Sequence, residues 1–192
     1  AGQIDALLDT GDVLLVEFGV GEAAHPVEVS AESADLDALI LDESFRKHAE
    51  IGLRAAREKL GVRVTVGYNV DSFGHAASLP RLLAEAGYDS YVMSRPGLSE
   101  MTLPANLFRW RSAPGGAEIM TWRIPFGYGP GNADLTRNVQ ASVDSAVPGV
   151  DHVMCFYGVG DHGGGPTRDQ IGWIAANADA FPGVRLVHSH PR

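Results

Sequence analysis

Short apolar runs alternate along this chain with longer stretches in which apolar residues recur at helical spacing. These longer stretches predict helices at residues 43–60, 78–86, 133–147 and 167–181. The short runs predict strands at residues 12–18, 63–69, 88–93, 107–111, 118–123, 152–157 and 184–187. Residues 114–116 read Pro-Gly-Gly and predict a hairpin turn, whereas residues 23–33 contain Pro26 and predict a loop.

Strands separated by helices are typical of the α/β class, in which βαβ units build a mostly parallel sheet. No internal repeat or domain linker interrupts the 192 residues, so we expect a single α/β domain over residues 1–192. In parallel α/β folds, ligands bind beyond the carboxyl ends of the strands. The loops that leave those ends are therefore the candidate sites.

Composition and charge narrow the functional classes. The chain has 15 Lys and Arg against 24 Asp and Glu, a formal charge of −9, which disfavours a broad surface for nucleic acid or anionic lipid. No apolar stretch approaches the roughly 20 residues that span a bilayer. The single cysteine, Cys155, lies in an apolar run that favours a buried thiol over a reactive one. With no secretory signal pattern, we expect a cytoplasmic bacterial enzyme, and a homo-oligomer stays open.

The first candidate loop follows the strand predicted at residues 63–69 and carries a carboxylate near a histidine. Asp71 stands just past the strand end, where a carboxylate can act as nucleophile, general base or metal ligand. Alternatively, Asp71 or Ser72 merely caps the helix that follows. His75 is either a ligand or a structural histidine that orients its neighbour.

The second candidate loop follows the strand predicted at residues 152–157 and surrounds Asp161 and His162 with glycines. These are Gly158, Gly160, Gly163, Gly164 and Gly165. Glycine permits positive φ and close approach of the backbone to a ligand. Such a loop either cradles a phosphate ahead of a helix or forms an open sugar pocket with a carboxylate at its rim. A flexible linker is the third reading, and the closing Pro166 argues against it.

Two carboxylates at neighbouring strand ends are the catalytic groups that a glycosidase needs. One attacks or supports the anomeric carbon, and the other protonates the leaving oxygen. We therefore expect Asp71 and Asp161 to converge on one cavity. The aromatic residues near these loops either stack on sugar faces or pack in the core. They are Tyr68, Phe73, Trp110, Phe126, Tyr128 and Tyr157.

At both loops the sequence resembles glycoside hydrolase family 38, the α-mannosidases. Residues 69–88 resemble the family's Asp-Pro/Ser-Phe-Gly-His block, which precedes a Leu-Pro and a Leu-Leu helix ending in Ala-Gly. Residues 156–167 resemble the Gly-Asp-x-Gly-Gly-Gly-Pro-Thr loop of its bacterial and cytosolic branch. The Phe-Arg-Trp at residues 108–110 matches the intervening segment, and the resemblance covers about residues 43–192.

The resemblance implies a retaining α-mannosidase with a catalytic zinc on a distorted (β/α) barrel, of which this chain is a part. The family's nucleophile, which also ligates the metal, falls on Asp71, and a sugar-binding or acid/base carboxylate falls near Asp161. The Zn²⁺ would hold mannose hydroxyls and orient the ring for attack. We expect an α-mannoside or oligosaccharide substrate that is contacted by residues of both loops. These are Phe73, His75, Tyr157, His162, Gly163 and Gly164.

The zinc ligand set is incomplete in this sequence. The family opens with a His-x-Asp block, whereas residues 3–5 read Gln-Ile-Asp, and a further zinc histidine lies beyond the matched stretch. His188 and His190 form a His-x-His that either binds metal or belongs to a strand. Two alternatives therefore stay open: an inactive or truncated sugar-binding fragment, and a metal-dependent carbohydrate deacetylase that uses Asp71 and a nearby histidine as ligands.

Overall fold

A computed structural model of the chain describes residues 13–18, 27–30, 36–112, 116–160 and 164–189. The strands are β1 (Val13–Phe18), β2 (Val27–Ser30), β3 (Val66–Asn69), β4 (Ser90–Met93), β5 (Leu107–Arg111), β6 (Glu118–Arg123), β7 (His152–Phe156) and β8 (Val184–Ser189). The helices are α1 (Leu36–Ala55), α2 (Leu79–Ala86), α3 (Thr136–Asp144) and α4 (Arg168–Ala176). A π-helical turn, Ala56–Leu60, continues α1. The chain divides into two compact units, one within residues 26–123 and one combining residues 124–191 with residues 1–25.

The unit within residues 26–123 is built on a five-stranded sheet in the order β2-β5-β6-β4-β3. Three of its pairs are parallel, and the hairpin of β5 and β6 is antiparallel. Helix α2 connects β3 to β4, so these strands and the helix form a βαβ unit. The register places Asn69 opposite Met93. The chain therefore leaves β3 and β4 side by side, at one carboxyl edge of the sheet.

Helix α2 has clear sequence signals at both ends and packs on this sheet. Pro80 lies in its first turn, where no backbone N–H is needed, and Gly87 ends the helix with a φ of 92°. Arg81 on α2 binds Asp42 on α1, with 2.5 Å between Nη2 and Oδ2, which ties the two helices together. Leu79 and Leu83 of α2 form a buried cluster with five residues of the sheet, which are Tyr91, Met93, Phe108, Trp110 and Ile119.

The other unit has a three-stranded sheet in the order β7-β1-β8, with both pairs antiparallel. Helix α3 contacts β7 and β1. Helix α4 opens with a capping box, in which the Thr167 Oγ1 accepts from the Gln170 N–H and the Gln170 Oε1 accepts from the Thr167 N–H. The buried apolar residues of this unit include Leu135, Val139, Val153, Cys155, Phe156 and Ile174.

The structure confirms a mixed α/β chain with a mostly parallel main sheet. The prediction of a loop over residues 23–33 is wrong at β2, which pairs with β5. The three-stranded sheet is antiparallel, and its middle strand β1 pairs with β7 and β8, which lie far along the chain. Local alternation of elements does not reveal such a pairing. Among the described strands, β2 and β3 are the open edges of the five-stranded sheet, so this sheet is not closed. The distorted barrel and the single domain over residues 1–192 therefore stay predictions. None of the described helices is both long and apolar enough to cross a membrane.

Candidate active site

Asp71 lies two residues beyond the end of β3, in the loop that leads to α2. The helix begins at Leu79, and Ser78 stands at its N-cap position. The interpretation of Asp71 or Ser72 as a helix cap is therefore wrong, because both residues precede the helix by six or more positions. The Asp71 side chain is 47% exposed, which leaves its carboxylate accessible to a ligand.

Arg95 is the partner of Asp71. Its Nε donates to Asp71 Oδ1 at 2.7 Å, and its Nη1 donates to Glu100 Oε1 at 3.0 Å. Its guanidinium carbon also lies 4.9 Å from the ring centroid of Phe73, a cation–π contact. The hydrogen bond to Asp71 is the main reason why the pKa of Arg95 is raised. The arginine is thus held as a cation between two carboxylates and an aromatic face.

The strand register explains how Asp71 and Arg95 meet. Asn69 and Met93 are paired at the ends of β3 and β4, and Asp71 and Arg95 each follow two residues later. Neighbouring parallel strands therefore bring a carboxylate and a guanidinium to adjacent points of one edge of the sheet. Arg95 was not among the predicted site residues, although its place just after a predicted strand was a usable signal.

A cavity of about 530 Å³ opens beside this pair. This size lies in the range of small-molecule sites. Its lining is mostly apolar, with charged groups from Arg95 and Glu100, and it comprises Ser72, Phe73, Gly74, His75, Met93, Arg95, Pro96, Glu100, Met101, Leu103, Phe108 and Trp110. One wall is tied down by the buried Arg123, whose Nη1 donates to the Met101 carbonyl at 2.7 Å and whose Nε donates to Asn106 Oδ1 at 2.9 Å.

His75 faces this cavity but has both ring nitrogens near protein atoms. Its Nε2 lies 2.8 Å from the Arg95 carbonyl oxygen and 3.2 Å from Ser72 Oγ, and its Nδ1 lies 3.3 Å from the Tyr91 hydroxyl. The ring meets Tyr91 and Trp110 edge-on, with centroids 5.8 Å and 5.4 Å away. The predicted residues Asp71, Phe73 and His75 are therefore brought together around Arg95.

The glycine-rich loop belongs to the other unit. Gly158 and Gly160 have φ of 134° and 69°, values that L side chains rarely adopt. The buried Gln170 fixes the start of this loop, because its Nε2 donates to the Gly158 carbonyl at 3.2 Å and to the Asn132 carbonyl at 2.8 Å. Gly160 also packs directly against Gly129, since a Cβ on Gly160 would lie 2.6 Å from the Gly129 Cα.

The predicted residues of this loop fall partly outside the described ranges. Asp161, His162 and Gly163 lie among the residues that the structure does not describe, so the convergence of Asp71 and Asp161 stays a prediction. Gly164 is described, and a Cβ there would lie 2.9 Å from the Val159 Cβ. Tyr157 is buried, with its hydroxyl 3.0 Å from His188 Nδ1.

The described residues do not by themselves fit a zinc ion. Among them, no group of three His, Cys, Asp or Glu side chains is placed to hold a metal. Asp71 is a single carboxylate, and Arg95 already binds one of its oxygens. Zinc in proteins takes three or four nitrogen, sulfur or oxygen ligands from side chains, so the remaining ligands would have to come from elsewhere.

Comparisons with known proteins agree on one family. The model of "Glycosyl hydrolases family 38 N-terminal domain" matches residues 37–186. The chain is 27% identical over 131 residues to alpha-mannosidase G of Dictyostelium discoideum, and 26% identical over 134 residues to alpha-mannosidase 2C1 of Homo sapiens. These alignments cover 67% and 64% of this chain, and each covers 12% of the relative.

The fold has a relative of known structure, an alpha-mannosidase from Enterococcus faecalis V583. The TM-score is 0.57 at 19% sequence identity, over 73% of this chain and 17% of that structure. The chain thus spans only about an eighth of the length of the curated relatives that it matches. Because the family model matches well over half of its residues, the chain belongs to glycosyl hydrolase family 38, within the N-terminal domain.

Proposed function

We propose that this chain supplies the nucleophile and the glycine-rich sugar loop of an α-mannosidase that cleaves α-mannosidic bonds with retention. The observation that carries the proposal is the Asp71 carboxylate, half exposed at the carboxyl edge of the parallel sheet and bound by Arg95. The relatives are named alpha-mannosidases, which points to α-mannosides as the substrate class.

The attacking group that we assign is Asp71. In a retaining glycosidase, one carboxylate attacks the anomeric carbon while a second acid protonates the leaving oxygen, and water then releases the sugar. Arg95 binds Asp71 Oδ1, and this bond restricts rotation of the carboxylate and holds it in one orientation. The Phe73 side chain is 89% exposed and lies beside this pair, where its free face can contact the apolar C–H face of a sugar.

The acid that we assign is Asp161, which follows Gly160 in the glycine-rich loop. The described glycines support an open sugar pocket, because Gly158 and Gly160 have positive φ and carry no side chain. The phosphate-cradle reading lacks a Lys or Arg side chain in this loop, which favours the sugar reading. The further sugar contacts that we propose are Phe73, Tyr157, His162, Gly163 and Gly164, whereas both ring nitrogens of His75 already face protein groups.

Zinc is a separate proposal. If the parent enzyme uses zinc, Asp71 is the ligand that this chain offers from its described residues, and the other ligands come from outside them. None of the assignments to Asp71, Arg95 or Phe73 depends on a metal.

The test is hydrolysis of an aryl α-mannoside by the α-mannosidase that contains this chain, and by the Asp71→Asn and Asp89→Asn variants of that enzyme. Asp89 is a matched control, since it is an exposed aspartate at the opposite end of β4 from Arg95. We expect hydrolysis with release of α-mannose, and a loss of at least about 1,000-fold in Asp71→Asn only. Full activity of Asp71→Asn, or no hydrolysis by the unaltered enzyme, would overturn the proposal.

Two further measurements distinguish the alternative functions. Acetate release from acetylated sugars without glycosidic cleavage would support the carbohydrate deacetylase. Mannoside binding by calorimetry without any hydrolysis would support the truncated sugar-binding fragment.

A further inference from the structure

We propose that His75 is a positioning residue, which holds the main chain at Arg95 so that the guanidinium meets Asp71. The inference rests on the proposed role of Asp71 as the nucleophile. It assigns His75 a task that acts through Arg95, and it makes the tautomer of the histidine part of the site.

The first step concerns the ring nitrogen of His75 that carries the proton, which is Nε2. This nitrogen lies 2.8 Å from the Arg95 carbonyl oxygen, which can only accept a hydrogen bond. Nε2 must therefore carry the proton and donate it. In the neutral ring, Nδ1 is then an acceptor, and the group facing it at 3.3 Å is the Tyr91 hydroxyl.

The second step is the orientation of the Tyr91 hydroxyl. Tyr91 is only 3% exposed, and burial raises the pKa of its phenol, so the hydroxyl keeps its proton. The protonated hydroxyl therefore donates to His75 Nδ1, the acceptor 3.3 Å away, which completes a chain from Tyr91 through His75 to the Arg95 carbonyl.

The third step is the mechanical consequence. His75 belongs to the loop that carries Asp71, and the Arg95 carbonyl belongs to the segment after β4. The bond between them joins the two segments that carry Asp71 and Arg95. Because Tyr91 and Trp110 enclose the imidazole edge-on, the ring cannot swing away without losing both contacts. Breaking this link allows the guanidinium to drift from the carboxylate.

The direct test is nitrogen NMR of the chain labelled with ¹⁵N-histidine, recorded at mildly alkaline pH. We expect His75 to show the Nε2–H tautomer, and we expect Tyr91→Phe to increase the Nδ1–H fraction severalfold. The resonance is assigned by its absence in His75→Gln. An Nδ1–H tautomer in the unaltered chain would overturn the proposal, whatever the outcome of the hydrolysis assay.

A second readout follows the arginine itself. The Nε–H of Arg95 is hydrogen-bonded to Asp71, and the Nε–H of Arg123 is hydrogen-bonded to Asn106, so Arg123 is an internal reference. In His75→Leu we expect Arg95 Nε–H exchange with solvent to accelerate about tenfold while Arg123 is unchanged. In His75→Gln the amide N–H replaces the lost donor, and we expect most of the protection to return. Equal behaviour of the Leu and Gln variants would contradict the proposal.

Activity gives the third readout. We expect kcat of His75→Leu for an aryl α-mannoside to fall about tenfold, with a much smaller change in KM, and to recover in His75→Gln. If the α-mannosidase that contains this chain does not hydrolyse the mannoside, the proposed function fails, and the two NMR measurements still decide the role of His75.

Discussion

The contact between Gly160 and Gly129 predicts that one methyl group will strongly destabilise the unit that carries the glycine-rich loop. The perturbation is Gly160→Ala. Its matched control is Gly131→Ala, because Gly131 has nearly the same φ, 72° against 69°, and a Cβ there would have nothing within 4 Å. The two variants share the backbone penalty and differ only in the space available.

The shared penalty is small. An alanine in the left-handed region costs about 1–2 kcal/mol, and the lower entropy of the unfolded chain returns about 0.4–1 kcal/mol. We therefore expect Gly131→Ala to lower the free energy of unfolding by about 1 kcal/mol.

Gly160→Ala adds a steric cost. Its Cβ would lie 2.6 Å from the Gly129 Cα, whereas ordinary contact begins at 3.4 Å, so two backbone segments must separate by most of an ångström. Overpacking of this kind costs about 1–3 kcal/mol, which brings the expected total to about 2–4 kcal/mol. Neither segment can yield by rotating a side chain, because both contacts are main chain.

The assay is urea unfolding of both variants, with hydrogen exchange of the β7 amides to localise the loss to this unit. Gly160→Ala should be less stable than Gly131→Ala by about 1–3 kcal/mol. Equal stabilities within about 0.5 kcal/mol would refute the close crossing of the two backbones.

Further predictions concern packing, capping and titration. Phe108→Ala should cost about 3–5 kcal/mol in chemical unfolding, because Phe108 on β5 is buried in the apolar cluster of the five-stranded sheet. Thr167→Ala should lower the Tm and cost about 1 kcal/mol through loss of the α4 cap. Cys155 should resist thiol reagents until the chain unfolds, since burial raises its pKa to about 12. Burial of Asp42 raises its pKa, but hydrogen bonds from Ser78 and Arg81 outweigh this effect and lower the pKa. The ionised Asp42 should therefore contribute its full share of folding stability above about pH 4 and lose it as the pH falls further. Acid unfolding curves of Asp42→Asn should show a smaller loss of stability over this range.

Local sequence signals predicted much of the five-stranded sheet. Pro80 and Gly87 mark the two ends of α2, and the apolar run before Arg95 marks β4. These features depend on neighbouring residues, so the sequence displays them. Strand β2 was missed because Pro26 suggested a loop and because its pairing partner β5 lies about 80 residues away.

The candidate site was only half predictable for the same reason. The motif around Asp71 and Phe73 is local and was found, whereas the pairing with Arg95 arises from the register of β3 and β4. The role of Gln170 depends on backbone carbonyls of Asn132 and Gly158, which no side-chain pattern reveals. The antiparallel pairing of β1 likewise depends on contacts with β7 and β8, far along the chain.

The central claim is that Asp71 becomes covalently bonded to the sugar during hydrolysis. A fluorinated mannosyl fluoride, which slows breakdown of a glycosyl-enzyme intermediate, tests this claim when the trapped chain is digested and analysed by mass spectrometry. We predict one mannosyl adduct, on Asp71, that is absent from Asp71→Asn and present in Asp89→Asn. An adduct on another carboxylate, or continued hydrolysis with no adduct at Asp71, would contradict the account.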